Sequence, residues 1–121
     1  MDNNILKLDS AVDATMRLID RPANREFTVE HVVGHLKKFR HQCIVQTMMV
    51  RGEHDGVRID NTTDAEIQAL LKAYLEIEPA EVMLYSLDRP TPEQRLQKVE
   101  RDELERIAEV FRKKGIKVQV N

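Results

Sequence analysis

Residues 43–52 read Cys-Ile-Val-Gln-Thr-Met-Met-Val-Arg-Gly, and the reading of this stretch decides the fold. Cys43–Val50 is almost continuously apolar, the signature of a strand buried on both faces rather than one, and only Gln46 and Thr47 interrupt it before Arg51-Gly52 closes it. Working outward, the same pattern appears on either side. Upstream, Ile5–Ser10 is a short apolar run that takes in Lys7 and ends in Asp9 and Ser10; downstream, Val82–Leu87 runs into Tyr85-Ser86-Leu87-Asp88-Arg89. Successive strands lie about forty residues apart, which leaves room for a crossover helix each time. Strand followed by helix, repeated, is the grammar of a parallel sheet covered by its own connections, with chemistry at the C-terminal strand ends. Three such units do not close a barrel, so the chain is expected to be part of a larger enzyme.

The helices follow from periodicity. Ile67, Leu70, Leu71, Tyr74 and Leu75 form one stripe; Thr63 and Glu66 have capping-box spacing before it, and Pro79 marks its stop. An earlier helix is expected from Thr28 to near Arg40, burying Val29, Val32, Val33 and Leu36, and a short one within Asp13–Ile19, stopped by Pro22. The last buries Leu104, Ile107, Ala108 and Phe111, with Arg112, Lys113 and Lys114 at its negative end and Gly115 as cap. Ile116–Val120 is then a fourth, short strand. Thr91-Pro92-Glu93-Gln94 predicts a separate helical turn.

Composition bounds the function. With 121 residues and 41% hydrophobic content, the chain is read as a single domain, 1–121, with one core. A formal net charge of −2 with interspersed signs gives no basic field, which speaks against nucleic acid as a partner. No apolar run approaches the roughly 18 residues of a membrane span, and no signal-peptide pattern stands ahead of the first strand. The single cysteine, Cys43, excludes an intrachain disulfide and suits a reducing compartment; a cytoplasmic location is expected.

The polar residues at the strand ends are the candidate site: Lys7, Asp9 and Ser10 on the first strand, Gln46 and Met48 sharing one face of the second, Ser86 and Asp88 sharing a face of the third. Taken singly, each is equally well explained as a solvated strand end, and core packing accounts better for Met48 and Met49. Other candidates are weaker. His31 and His35 have ligand spacing on a helix but no third ligand. His41, Cys43 and His54 make a poor set, since Cys43 opens a buried strand. Asp55-Gly56 and Asp60-Asn61 read as turn chemistry, and Glu100–Arg106 as a solvated helix face.

The ordered set "LKLDS … IDRP", "IVQTMMVRGEHDG … NT", "EVMLYSLDRPTP" and "DELERIAEVFRKKG" resembles the C-terminal half of radical S-adenosylmethionine enzymes, in particular the Fe–S oxidoreductase branch related to wyosine-forming tRNA enzymes and glycyl-radical activating enzymes. The resemblance covers nearly the whole chain. It implies an α/β fragment of a partial (β/α)6 barrel, about three βα units with a mostly parallel sheet and a short C-terminal strand. It further implies a parent enzyme with a [4Fe–4S] cluster on a C-x3-C-x2-C loop and S-adenosylmethionine as cofactor. Carried over, Lys7 and Asp9 would help hold the cofactor's methionine or ribose portion, and Ser10, Gln46, Met48, Ser86 and Asp88 would face cofactor or substrate.

The sequence departs from that pattern where the cluster would bind: three thiolates are needed and Cys43 stands alone, while only Gly52 and Glu53 hint at the glycine-rich cofactor motif. The chain by itself is therefore expected to be inactive and to hold neither group tightly. Its expected partners are the missing N-terminal half of the barrel and, through an exposed first strand or sheet face, other copies of itself. The parent's substrate, tRNA included, stays open. The alternative is a stand-alone α/β binding or assembly module without redox chemistry.

Overall fold

A computed structural model describes residues 4–12, 14–15, 28–54, 56–86 and 96–121. Four strands form the main sheet: β1 (Asn4–Lys7), β2 (Cys43–Met48), β5 (Glu81–Tyr85) and β7 (Val118–Val120). They lie in the order β1-β2-β5-β7, and every pairing is parallel. The mostly parallel α/β architecture expected from the strand spacing is the one observed.

Alternation sorts the sheet into two unlike faces. Cys43, Val45 and Thr47 of β2, with Val82 and Leu84 of β5 and Val118 and Val120 of β7, are buried. They join Leu8, which follows β1, in one core with the helices. Ile44, Gln46 and Met48 alternate to the other face, in register with Glu81, Met83 and Tyr85. That face stays half-buried and lies outside the core cluster, and Ile5 on it is 58% exposed. Among the described residues the helices cover one side of the sheet only.

Helix α1 (Val29–Leu36) is capped by Thr28, whose hydroxyl accepts from the His31 amide, and buries Val33 and Leu36. It tightens into a 3-10 turn over Lys37–Phe39, so the α-helix is shorter than its periodicity suggests. Ala14 and Thr15 are helical, within the short helix expected there.

Helix α2 (Asp64–Ile77) buries Ile67, Leu70, Leu71, Ala73, Tyr74 and Ile77 against the sheet; Leu75, placed in the stripe from sequence, is exposed. Thr63 caps it through the Glu66 amide, and Glu78 ends it in the left-handed conformation just before Pro79. The expected capping box is only half formed. Instead of reaching back, the buried Glu66 carboxylate accepts hydrogen bonds from the Ser10 and Thr15 hydroxyls, both at 2.7 Å. It thereby clips the segment leaving β1 to α2.

Helix α3 (Arg101–Arg112) buries Leu104, Ile107, Ala108 and Phe111 as its pattern predicts. Arg112 donates to the Val118 carbonyl through Nε and Nη2 (3.2 and 2.7 Å), which fastens the end of the helix to β7.

Beyond the parallel sheet expected from the sequence lies a second, antiparallel sheet, made of β3 (Val50–His54), β4 (Val57–Asp60) and β6 (Leu96–Lys98) in the order β4-β3-β6. The stretch assigned to one strand, Cys43–Val50, breaks at Met49, and Val50 opens β3. Asp55-Gly56 was read as a turn; His54 pairs with Val57 across it, with Gly56 at φ +78°, where a side chain would be strained. The expected helical turn at Thr91–Gln94 lies outside the described residues.

Candidate functional site

The C-terminal ends of β1, β2 and β5 carry the polar residues singled out from the sequence, and the backbone divides them into two groups. Lys7, Gln46 and Met48 point to the uncovered face. Lys7 lies opposite Gln46 in register, Gln46 opposite Met83, and Met48 opposite Tyr85. Just past β1, Asp9 turns its carboxylate to the same end. Its Oδ1 accepts from the Met48 amide at 2.9 Å, and its Oδ2 lies 3.3 Å from the Lys7 ammonium. These four residues are brought together.

Ser10 and Ser86 are committed elsewhere. The Ser10 hydroxyl donates to Glu66 and accepts from the Val12 amide at 3.0 Å. Ser86 follows β5; its hydroxyl donates to the Met49 carbonyl (2.7 Å) and accepts from the Val99 amide (2.8 Å), tying the two sheets together. Asp88 lies outside the described residues.

Lys7 and Asp9 differ sharply in exposure, 53% against 0% for their side chains. Burial works against the Lys7 ammonium, but the Asp9 charge and the adjacent Tyr85 hydroxyl outweigh it, so the Lys7 pKa lies above its ordinary value. Among the described residues, Asp9 Oδ2 is buried without a hydrogen bond and is paired with the Lys7 ammonium. An acceptor in that state is a place where a donor is tolerated or wanted.

Two residues that sequence reasoning did not select complete the site. Asn61, read as part of a turn, is fully buried beneath it. Its amide donates to the Asp9 carbonyl (2.8 Å) and the Met48 carbonyl (2.7 Å), and its oxygen accepts from the Val50 amide (2.9 Å). One side chain thus fixes the β1 end, the β2 end and the start of the antiparallel sheet. The other is Tyr85, which strand alternation alone would have placed on the face of Gln46 and Met48. Under the same strands, the Thr47 hydroxyl donates to the Leu8 carbonyl and pairs with the Tyr74 hydroxyl; burial pushes the Tyr74 pKa well up.

The remaining candidates do not converge. His31 and His35 are exposed on α1, and His35 packs edge-on against Phe39. Among the described residues no group of three or more His, Cys, Asp or Glu could hold a metal ion. A groove of about 710 Å³ between α1 and α2, bordered by Val33, Gly34, Ala69 and Ala73, opens on the helical side, away from the Lys7–Tyr85 cluster.

Cys43 is wholly buried at the start of β2, the opposite end of the sheet, where burial raises its thiol pKa and disfavours the thiolate. It does not suit an iron–sulfur cluster. Among the described residues no helix is long and apolar enough to cross a membrane.

No protein-family model matches the chain, and no curated protein sequence matches it. Among solved structures it is similar to a radical SAM methyltransferase from Sphaerobacter thermophilus, with 19% sequence identity and a TM-score of 0.75 over 98% of this chain. The match takes in 33% of the methyltransferase, so this chain spans about a third of that enzyme's length. At this identity the likeness is one of fold.

Proposed function

We propose that this chain is the C-terminal part of a radical S-adenosylmethionine enzyme, contributing the last strands of a partial barrel and inactive by itself. The observation that carries the reading is the one-sided sheet: among the described residues its helices lie on one face, and its Lys7–Asp9 pair, Gln46, Met48 and Tyr85 gather at the C-terminal edge of the other. That is where barrel enzymes place their chemistry. The likeness in fold to part of a radical SAM methyltransferase supports the same reading.

In the complete enzyme, preceding βα units would extend the sheet from the free edge of β1 and enclose the uncovered face, which otherwise leaves an unpaired strand available to other copies of the chain. An iron–sulfur cluster, held by cysteines outside residues 1–121, would when bound relay one electron from an external reductant to the cofactor. The residues here bind and orient: Lys7 offers a point charge to a carboxylate, Gln46 offers an amide, and Met48 an apolar wall. A cytoplasmic setting belongs to the same proposal.

The test uses the product of the whole coding sequence that contains these residues. Lys7→Ala is expected to weaken S-adenosylmethionine binding by about 1–2 kcal/mol, a charged hydrogen bond discounted for the exposure of Lys7. His31→Ala, on the opposite side of the sheet, should leave it unchanged. Equal effects of the two substitutions in a calorimetric titration would remove the strand ends from the site.

A further inference from the structure

The two edges of the parallel sheet are not finished alike. On β7, the Lys117 carbonyl accepts from the Val82 amide at 2.8 Å, and the Asn121 amide donates to the Leu84 carbonyl at 3.0 Å. Odd-numbered residues therefore bond to β5, and alternation turns the backbone groups of Val118 and Val120 to the outer edge. Among the described residues no strand pairs with that edge. The Val118 carbonyl there is nevertheless taken. Arg112 donates to it twice, through Nε at 3.2 Å and Nη2 at 2.7 Å, while Nη1 is held by Glu105 at 3.1 Å and Glu109 at 2.9 Å. All three guanidinium nitrogens are engaged, and the side chain is fixed against the strand with a pair of carboxylates behind it.

At β1 nothing comparable occurs among the described residues. The Leu8 amide donates to the Gln46 carbonyl at 3.0 Å, so even-numbered residues face β2 and the backbone groups of Ile5 and Lys7 face outward. Ile5 is 58% exposed, and the Lys7 ammonium is drawn to Asp9 instead of standing across the edge.

We propose that Arg112, braced by Glu105 and Glu109, guards the β7 edge: it shuts that edge to a second copy of this chain and leaves β1 as the edge at which the sheet accepts another strand. A carbonyl has two lone pairs, and the two guanidinium N–H groups use both, so an arriving strand finds no acceptor at Val118. It would also have to lie against three charged side chains, the kind of obstacle by which sheet edges are kept from pairing. The consequence is one of symmetry. A single open edge lets two copies pair and then stop, whereas two open edges let copies add without end. The guard does not depend on the radical S-adenosylmethionine reading: it stands on the edge opposite the one that a preceding unit or another copy would cover.

The test is sedimentation velocity and amide hydrogen exchange on the 121-residue chain. The wild-type chain should reach dimers and stop. Its Val120 amide should exchange at least about tenfold faster than that of Gln119, which faces β5. Ile5→Pro removes an outward N–H and no bond to β2, and should return the dimer to monomer. Arg112→Leu should form species that keep growing with concentration, with the Val120 amide protected in them; adding Ile5→Pro should stop that growth at a dimer paired through β7. Because Arg112→Leu also unties α3 from β7, a further change separates edge pairing from unfolding. Val120→Pro in the Arg112→Leu chain takes away the outward N–H, so pairing predicts that association through β7 ceases, whereas aggregation of a loosened chain would persist or worsen.

An Arg112→Leu chain that associates no more than wild type, growth that survives Val120→Pro, or a wild-type chain that grows past the dimer would each overturn the guard. A wild-type monomer, or a dimer indifferent to Ile5→Pro, would overturn the open β1 edge.

Discussion

Asn61→Ala is expected to destabilise the protein by about 3 kcal/mol, among the largest losses from any polar residue in the chain. The substitution removes both amide donors and the acceptor at once, leaving the Asp9 and Met48 carbonyls and the Val50 amide without their partner in a buried place. Each such group costs roughly 1–3 kcal/mol when unsatisfied, and some water entry offsets part of the sum. Against a total stability of about 5–15 kcal/mol the loss is large, and it should lower the melting temperature by roughly 10 °C. Asn61→Asp keeps the acceptor but replaces the donors with a charge facing two carbonyls, so it should be no milder. Urea unfolding followed by circular dichroism measures both. A loss under about 1 kcal/mol for Asn61→Ala would mean that the antiparallel sheet does not depend on this residue for its attachment.

The second large effect is in the core. Phe111 of α3 is fully buried and meets Tyr74 of α2 edge-on, with ring centroids 5.0 Å apart. These two rings join the helix that precedes β5 to the helix that follows it. Phe111→Ala should cost about 3–5 kcal/mol, the transfer of the ring plus the cavity it leaves. Phe111→Leu should recover more than half of that, because it refills most of the volume. Should the alanine variant lose no more than an exposed substitution such as His31→Ala, the helices would not share one core.

How much of this was legible follows from what each residue is asked to do. Val33 and Leu36, Ile67 through Tyr74, and Leu104 through Phe111 bury one helical face against a sheet, so their 3.6-residue period states their role directly. Cys43, Val45, Val82 and Leu84 bury one face of the parallel sheet, while Ile44 and Met83 keep the other face partly apolar though it is only half-buried, so the runs read as continuous and the expected burial of both faces is met on one face alone. The antiparallel sheet hid because its strands carry Arg51, Glu53 and Arg58 between few apolar positions; a small, half-solvated sheet needs little hydrophobic pattern. Its Asp-Gly turn signal stands at 55–56, but the residues on either side lack the regular alternation that would mark them as paired strands.

The site was legible at Lys7, Gln46 and Met48, whose positions depend on alternation alone. It was not legible at Asn61, since an asparagine after Asp60 resembles any turn and its three partners lie on three different segments. Glu66 misled for a related reason. Its spacing from Thr63 fits a capping box, yet the pull of two hydroxyls from the β1 side, that of Ser10 fully buried, outweighs the local bond. Long-range polar contacts leave no periodic trace in a sequence.

The most direct measurement of the central claim is the 5′-deoxyadenosine formed from S-adenosylmethionine, under anaerobic reducing conditions, by the iron- and sulfide-reconstituted product of the whole coding sequence that contains residues 1–121, set beside the same assay on those residues alone. The account predicts a brown protein and deoxyadenosine from the first, and neither from the second. Deoxyadenosine from residues 1–121 alone, or none from either protein, would contradict it.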